Sequence, residues 1–362
     1  MGKSFYCEKL EKTLHFLPDG VKYCCSCTEG IGLKIDDFNS FDMLKVISKK
    51  NDYIKMLKKG EIPTGCSGCS EYKQLTFIRK ILSIFSKNRI SHIIADHFKQ
   101  CDCNCVYCSQ KKIFPNTTQN YELLPIIKNL YKEGYTDNKN LKIEFQGGNV
   151  SVLKEFNDLI KEFKHNNCEH FVVLSNMIKY LPILEELEDK VLLSVSIDSG
   201  SRKTFERVKQ VDAFNMVVDN LKKLRKNSKV LIQPKYIIVH NVNDNIDEIK
   251  KFIELIKEID CQYYPMFDID YNDTFMSAGK QFDVPPHYYD LIKFIDSFCK
   301  ENSIGYSISH SLQTTLDQGR KDTAVEEKCE SIQQKTNVNV ALYIIAAIII
   351  GIVIISLLLI MI

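Results

Sequence analysis

The run Cys101-Asp102-Cys103-Asn104-Cys105-Val106-Tyr107-Cys108 concentrates the chain's reactive chemistry. It contains Cys101-x3-Cys105-x2-Cys108, with a tyrosine before the last cysteine. Three thiolates at that spacing can hold three irons of a [4Fe–4S] cube and leave the fourth iron open. Clusters ligated by four cysteines mostly move electrons, whereas an open corner can bind a ligand and reduce it. A zinc site can present the same letters, so the neighbouring elements must decide. Cys103 is extra to the spacing and reads as a bystander.

Residues 91–98, apolar and β-branched, predict a strand that runs into the cysteine loop. Helical spacing follows through residues 121–131. Strands are then expected at 141–145, 171–175, 191–197, 230–239 and 262–268, alternating with helices at 152–163, 178–187, 203–225 and 246–259. A last helix at 288–300 precedes a short strand at 306–308. Such alternation predicts an α/β fold, a partial (β/α)6 TIM-like barrel around a parallel sheet. In such folds the chemistry sits where strands end. The cysteine loop follows the first strand and therefore lies at that end.

Other strand ends carry distinctive residues. The second strand runs into Glu144-Phe145-Gln146-Gly147-Gly148-Asn149-Val150, where two glycines permit close backbone approach. The third ends at Ser175-Asn176 and the fourth at Ser194-Val195-Ser196-Ile197-Asp198. With the cysteine spacing, these resemble the radical S-adenosylmethionine (radical SAM) enzymes over residues 91–310.

The resemblance implies a [4Fe–4S] cluster on Cys101, Cys105 and Cys108, with SAM on its open iron. It implies that Gly147, Gly148 and Asn149 contact the methionine portion of SAM, Ser196 its ribose and Lys209 its carboxylate. It also implies reductive cleavage of SAM to a 5′-deoxyadenosyl radical that takes hydrogen from a substrate. A flavodoxin- or ferredoxin-like donor would supply the electron. Asn149 stands where the family has glutamate, which replaces a charge-assisted bond by a neutral one about half as strong. Lys209 stands where arginine is usual and lacks its fork. These departures keep a second reading open, a membrane-anchored iron–sulfur redox or binding protein without SAM turnover. Lys235, Asn243, Tyr263, Tyr264 and Asp268 lie on or after the fifth and sixth strands. They are candidates to face substrate, and equally read as core or surface.

Residues 1–88 hold Cys7-x12-Gly20-x4-Cys25 and then Cys66-Ser67-Gly68-Cys69. This spacing resembles the auxiliary-cluster module called SPASM, or its shortened twitch form, here placed ahead of the barrel. It implies a small cysteine-rich domain with a second [4Fe–4S] cluster on Cys7, Cys25, Cys66 and Cys69. Cys24 and Cys27 compete with Cys25, and a four-cysteine zinc ribbon uses a similar thiolate count. Relatives with such modules often act on peptides or proteins.

The chain has 14 cysteines and no apolar signal core at its start, a pattern of metal sites in a reducing compartment. Residues 340–362 carry no charge. As a helix they would span about 35 Å, enough for a bilayer core of roughly 30 Å, and predict a C-terminal transmembrane anchor. Lys321, Lys328 and Lys335 precede it and place the catalytic side in the cytoplasm. Residues 311–339 read as a polar tether between a core over 89–310 and that anchor. An anchor also fits a lipid-linked or membrane-proximal substrate. The net charge of +2, from 48 basic and 46 acidic residues, gives no basic footprint for nucleic acid.

Overall fold

A computed structural model describes residues 3–24, 31–35, 41–67, 69, 71–76, 89–108, 121–270 and 287–309. Its N-terminal part contains β1 (Phe5–Tyr6), α1 (Glu8–Lys12), β2 (Thr13–Leu17), β3 (Gly20–Lys22), β4 (Gly32–Lys34), α2 (Met43–Lys59) and β5 (Lys73–Gln74). Then come β6 (His92–Ala95), α3 (Leu124–Lys132), β7 (Lys142–Phe145), α4 (Phe156–His165), β8 (His170–Ser175) and β9 (Val191–Ser196). The remaining elements are α5 (Arg202–Lys209), α6 (Phe214–Asn227), β10 (Leu231–Ile238), α7 (Ile246–Ile259), β11 (Met266–Ile269), α8 (His287–Glu301) and β12 (Ser307–Ile308).

The expected βα alternation is present. Strands β6 to β12 lie side by side in chain order, every adjacent pair parallel. Among the described residues the large sheet has ten strands and two edges, β12 and β4, so no closed barrel forms. The N-terminal strands continue this sheet: β2 pairs in parallel with β6, and β3 and β4 follow as antiparallel neighbours.

The helices cover the sheet through one apolar stripe each. On α4, Phe156, Leu159, Ile160 and Phe163 are buried. Phe163 meets Phe145 and Phe171 with ring centroids 6.3 and 6.5 Å apart. Burying each such ring contributes about 1.5–3 kcal/mol, which holds helix to sheet.

Two helix expectations differ from the structure. Residues 178–187 form no α-helix; only a 3-10 turn, Pro182–Leu184, appears there. Pro182 forces Leu181 out of helical geometry, to φ −117 and ψ 84. The single helix expected over 203–225 is instead two, α5 and α6. Gln210 caps the first in the left-handed region at φ 57, and Arg202 reaches back to Asp212 across the break, its Nε donating at 2.9 Å.

Among the described residues no helix is long and apolar enough to cross a membrane. The tether at 311–339, the apolar run at 340–362, and Cys25 and Cys27 lie outside the described residues.

Candidate active site at the strand ends

The break between α5 and α6 positions the cysteine loop. A helix end leaves carbonyls without intrahelical partners, and two of those on α5 are taken by this loop. Asn104 N donates to Lys209 O and Val106 N to Val208 O, both at 3.0 Å. On the other side the loop is held by the Gly147-Gly148 turn. Gly148 N donates to Phe98 O at 3.1 Å and Asn149 N to Gln100 O at 2.8 Å. A Cβ on Gly148 would lie 2.2 Å from the Gln100 carbonyl oxygen, and one on Gly147, at φ 106, would lie 2.0 Å from Asp96 Oδ1. The close approach that the glycines permit is therefore to the chain's own segment leading into Cys101.

These contacts enclose a cavity of about 360 Å³ at the C-terminal ends of the parallel strands. Cys101, Cys105, Cys108, Gly147, Gly148, Asn149, Ser196 and Lys209 all line it, as do Lys235 and Asp268. Eight residues expected at one site from spacing and resemblance thus meet in one place.

Cys103 lines the cavity too. Its thiol keeps its proton, held up first by the hydrogen bond to Cys101 and then by that to Cys105. The Cys105 thiol is pulled down to about 6, first by the bond from Cys103, against burial, with help from the Lys209 ammonium. Cys101 is lowered by the same thiol. Asn176 Nδ2 donates to the Cys103 sulfur at 3.1 Å. Cys103 is therefore part of the sulfur group rather than apart from it.

Asn149 is buried and tied inward. Its Nδ2 lies 2.9 Å from Asp102 Oδ1 and 2.8 Å from Asn176 Oδ1, and its Oδ1 accepts from Ser175 Oγ at 3.0 Å. The second oxygen of Asp102, Oδ2, is buried without a hydrogen-bond partner among the described residues. A buried carboxylate oxygen left so is costly.

Lys209 is fully buried and ion-paired with Asp198, and its Nζ lies 2.9 Å from the Tyr107 hydroxyl. Burial opposes its charge, but the adjacent carboxylate outweighs burial and keeps the ammonium protonated. Asp198, at φ 58, is a hub. It accepts from Tyr107 OH at 2.6 Å and from Ile237 N at 2.7 Å, and its own carbonyl accepts from Asn243 Nδ2 at 2.8 Å. Lys209 thus ties the cysteine loop to β9. The lysine was legible from the sequence; its partner was not, although an aspartate closing an apolar strand is a signal of buried pairing.

Asp96, at the end of β6, also lines the cavity and escaped the sequence reading. It pairs with Lys99 and stands 3.2 Å from His15 Nε2 on β2. Glu155 anchors the entry to α3: it accepts from Leu123 N, Leu124 N and His97 Nε2, each at 2.9 Å. Burial raises its carboxyl pKa, but these bonds prevail and hold it below the usual range.

Other candidates lie elsewhere. Asn243 is fully buried and knits the turn after β10, accepting from Val239 N at 2.6 Å. Tyr263 and Tyr264 border a separate cleft with Cys261 and Gly305. In the N-terminal part, β1 pairs with β5, and Lys9 meets Glu71 at 2.8 Å, which brings Cys7 beside the Cys66–Cys69 turn. Cys7 and Cys66 are buried in the apolar core. Cys7 Sγ accepts from Leu10 N at 3.5 Å, and burial pushes its thiol up. Among the described residues these sulfurs form no group of three donors close enough to share one ion.

A parallel sheet whose strand β6 runs into three cysteines lining a polar cavity is an α/β fold that carries its metal-binding side chains at the strand ends. Within it, the radical SAM superfamily model matches residues 96–256. Those residues make up a radical SAM domain. No curated protein matches the chain. Solved structures that it resembles include Streptococcus suis SuiB, at 10% identity and a TM-score of 0.46, covering 75% of this chain and 56% of that one. Native anSMEcpe with bound AdoMet shares 19% identity at a TM-score of 0.48, over 60% of this chain and 63% of that one. A radical SAM methyltransferase from Sphaerobacter thermophilus shares 11% at 0.41, over 62% and 67%. The chain spans between 56% and 63% of the length of the first two.

Proposed function

We propose that this chain binds SAM at a [4Fe–4S] cluster held by Cys101, Cys105 and Cys108. When bound, the cluster and SAM would supply reductive cleavage of the sulfonium and hydrogen abstraction from a substrate, the electron coming from an external reductant. The observation that carries this reading is the convergence of the three cysteines, the Gly147-Gly148 turn and Ser196 on one strand-end cavity. The donor set fits: three thiols, two with depressed pKa, face a cavity of about 360 Å³.

The chain's own residues divide the work. Gly147 and Gly148 hold the loop against the β6 extension, and Asn149 orients Asp102. Asp102 lies behind Asn149 and adds negative charge to that side of the cavity, where Asn149 itself carries none. Ser196 faces the ribose. Lys209 contributes positive potential from behind, its ammonium tied to Asp198. Lys235 and Asp268, 3.5 Å apart on the opposite wall, contact substrate.

The substrate is a peptide or protein, a reading supported by the auxiliary-module spacing of Cys7, Cys25, Cys66 and Cys69, which holds a second cluster. Residues 340–362 anchor the protein in a membrane with its catalytic part in the cytoplasm. A flavodoxin- or ferredoxin-like protein delivers the electron.

Anaerobic reconstitution with iron, sulfide, dithionite and SAM tests the assignment. The wild-type chain should release 5′-deoxyadenosine. The variant with Cys101, Cys105 and Cys108 all changed to alanine should fall to background. Release by that variant, or none by a cluster-loaded wild type, overturns the reading.

A further inference from the structure

Outside the cavity, one group of three close donors among the described residues has ligand chemistry and no role in the proposed reaction. His240, Asp244 and His287 bring three donor atoms within 4.8 Å of one another. Asp244 Oδ2 lies 3.0 Å from His240 Nδ1 and 2.8 Å from His287 Nε2. The two rings stand 5.5 Å apart at 32°, converging on one carboxylate oxygen.

The arrangement is built from the backbone upward. β10 ends at Ile238, and the chain turns through Asn241, which sits in the left-handed region at φ 59. Asn243, buried, clamps this turn by accepting from Val239 N and donating to Ile237 O at 2.8 Å. His240 and Asp244 thereby face each other across the turn, just before α7. His287 opens α8 and arrives from a different part of the chain. Tyr288, fully buried, packs edge-on to His287 at 4.9 Å and also meets His240 at 6.3 Å. Both imidazoles thus rest on one fixed ring.

We propose that His240, Asp244 and His287 form a binding site for a divalent first-row transition metal ion, zinc foremost. Two imidazoles and one carboxylate are a donor set for such ions, with positions left open for water or a ligand. Tetrahedral zinc with bonds near 2.05 Å needs donors about 3.3 Å apart. The two contacts observed open to that value by a few tenths of an ångström. Exposure supports an open site: the carboxylate side chain is 10% accessible and the imidazoles 38% and 43%. The ion would sit against the buried carboxylate with its free positions toward solvent. The site lies at the same sheet end as the cavity, since β10 delivers both Ile237 and, two residues beyond its end, His240. The ion would pin the start of α8 to the β10–α7 turn. This inference is independent of SAM turnover.

The test uses the full chain, anaerobic and loaded with iron–sulfur cluster so that the cysteines are occupied. Titration with Co2+ should give saturable visible d–d absorption for a single equivalent, without thiolate-to-cobalt charge transfer, and Zn2+ should displace it. His287→Gln keeps a hydrogen-bond donor for Asp244 but removes an imidazole ligand. It should retain the wild-type circular dichroism and lose Co2+ affinity by roughly 100-fold or more, at or beyond what losing an outer-shell partner costs. His240→Ala should behave alike. Zn2+ should raise the unfolding midpoint of wild type and of neither variant. Absence of saturable binding in wild type, or equal binding by both variants, shows a hydrogen-bonded triad only and overturns the proposal. A thiolate charge-transfer band that persists in His287→Gln overturns it as well.

Discussion

Two lysines lie equally deep in this protein, and they sit in opposite surroundings. Lys209, under the strand-end cavity, is 1% exposed and paired with Asp198. Lys50, on α2 in the N-terminal layer, is 2% exposed, and its ammonium has no hydrogen-bond partner among the described residues. Burial lowers the Lys50 pKa to about 7, with only Glu11 opposing. The cysteines divide likewise. Cys101, Cys105 and Cys108 reach a polar cavity, whereas Cys7 and Cys66 are packed in the apolar core. The cavity region supplies counter-charges for what it desolvates; the N-terminal layer neutralises instead.

The sharpest way to break this comparison is Lys209→Met. It strands the Asp198 carboxylate in the interior, and removing one partner of a buried pair costs about 3–5 kcal/mol. Chemical denaturation should show that loss. Were Lys209 only a ligand contact, stability would hold and SAM affinity alone would fall.

Gly148→Val comes next. Its Cβ would meet the Gln100 carbonyl at 2.2 Å, and such overpacking costs about 1–3 kcal/mol. Cluster loading, read by iron content and absorbance, should fall with stability, because the displaced segment leads into Cys101.

Lys50→Met should stabilise the fold. The folded pKa of about 7 lies below the unfolded value, so the unfolded state holds the proton more tightly. The cost of burial is complete below pH 7 and vanishes as pH rises past the unfolded pKa. The gain from Lys50→Met should reach about 4 kcal/mol at pH 6 to 7, at roughly 1.36 kcal/mol for each of the about three pH units by which burial lowers it, and fade toward pH 10. A pH-independent gain would mean that the lysine is already paired.

Cys7→Ala is the mildest change, about 1 kcal/mol from the lost cap to Leu10 N. Iron analysis gives it a second use. The proposed second cluster predicts eight irons per chain in wild type and four in Cys7→Ala; four in both would confine iron to the strand-end cavity.

The strand pattern was legible because apolar runs of β-branched residues leave little choice. Strands expected at 171–175 and 191–197 appear as His170–Ser175 and Val191–Ser196. The helix expected at 178–187 failed because apolar spacing took no account of Pro182. The break at Gln210 was hidden because helical spacing resumes three residues later, and the reason for it, docking of Asn104 and Val106 on free carbonyls, is tertiary. Site residues carried by strand ends could be read in order. The pairing of Lys209 with Asp198, and of His15 with Asp96, joins positions whose proximity no local pattern encodes.

That last pair bears on how the molecule must be handled. β2 lies along the flank of β6, matched from Thr13 beside His92 to Phe16 beside Ala95. Trimming the chain past residue 17 would leave β6 as a bare border, its amides and carbonyls open to another copy. The strand that feeds Asp96 to the cavity would then become a seam for self-association. Shortened versions should precipitate before they can be assayed, and an affinity tag belongs where it leaves residues 13–17 undisturbed.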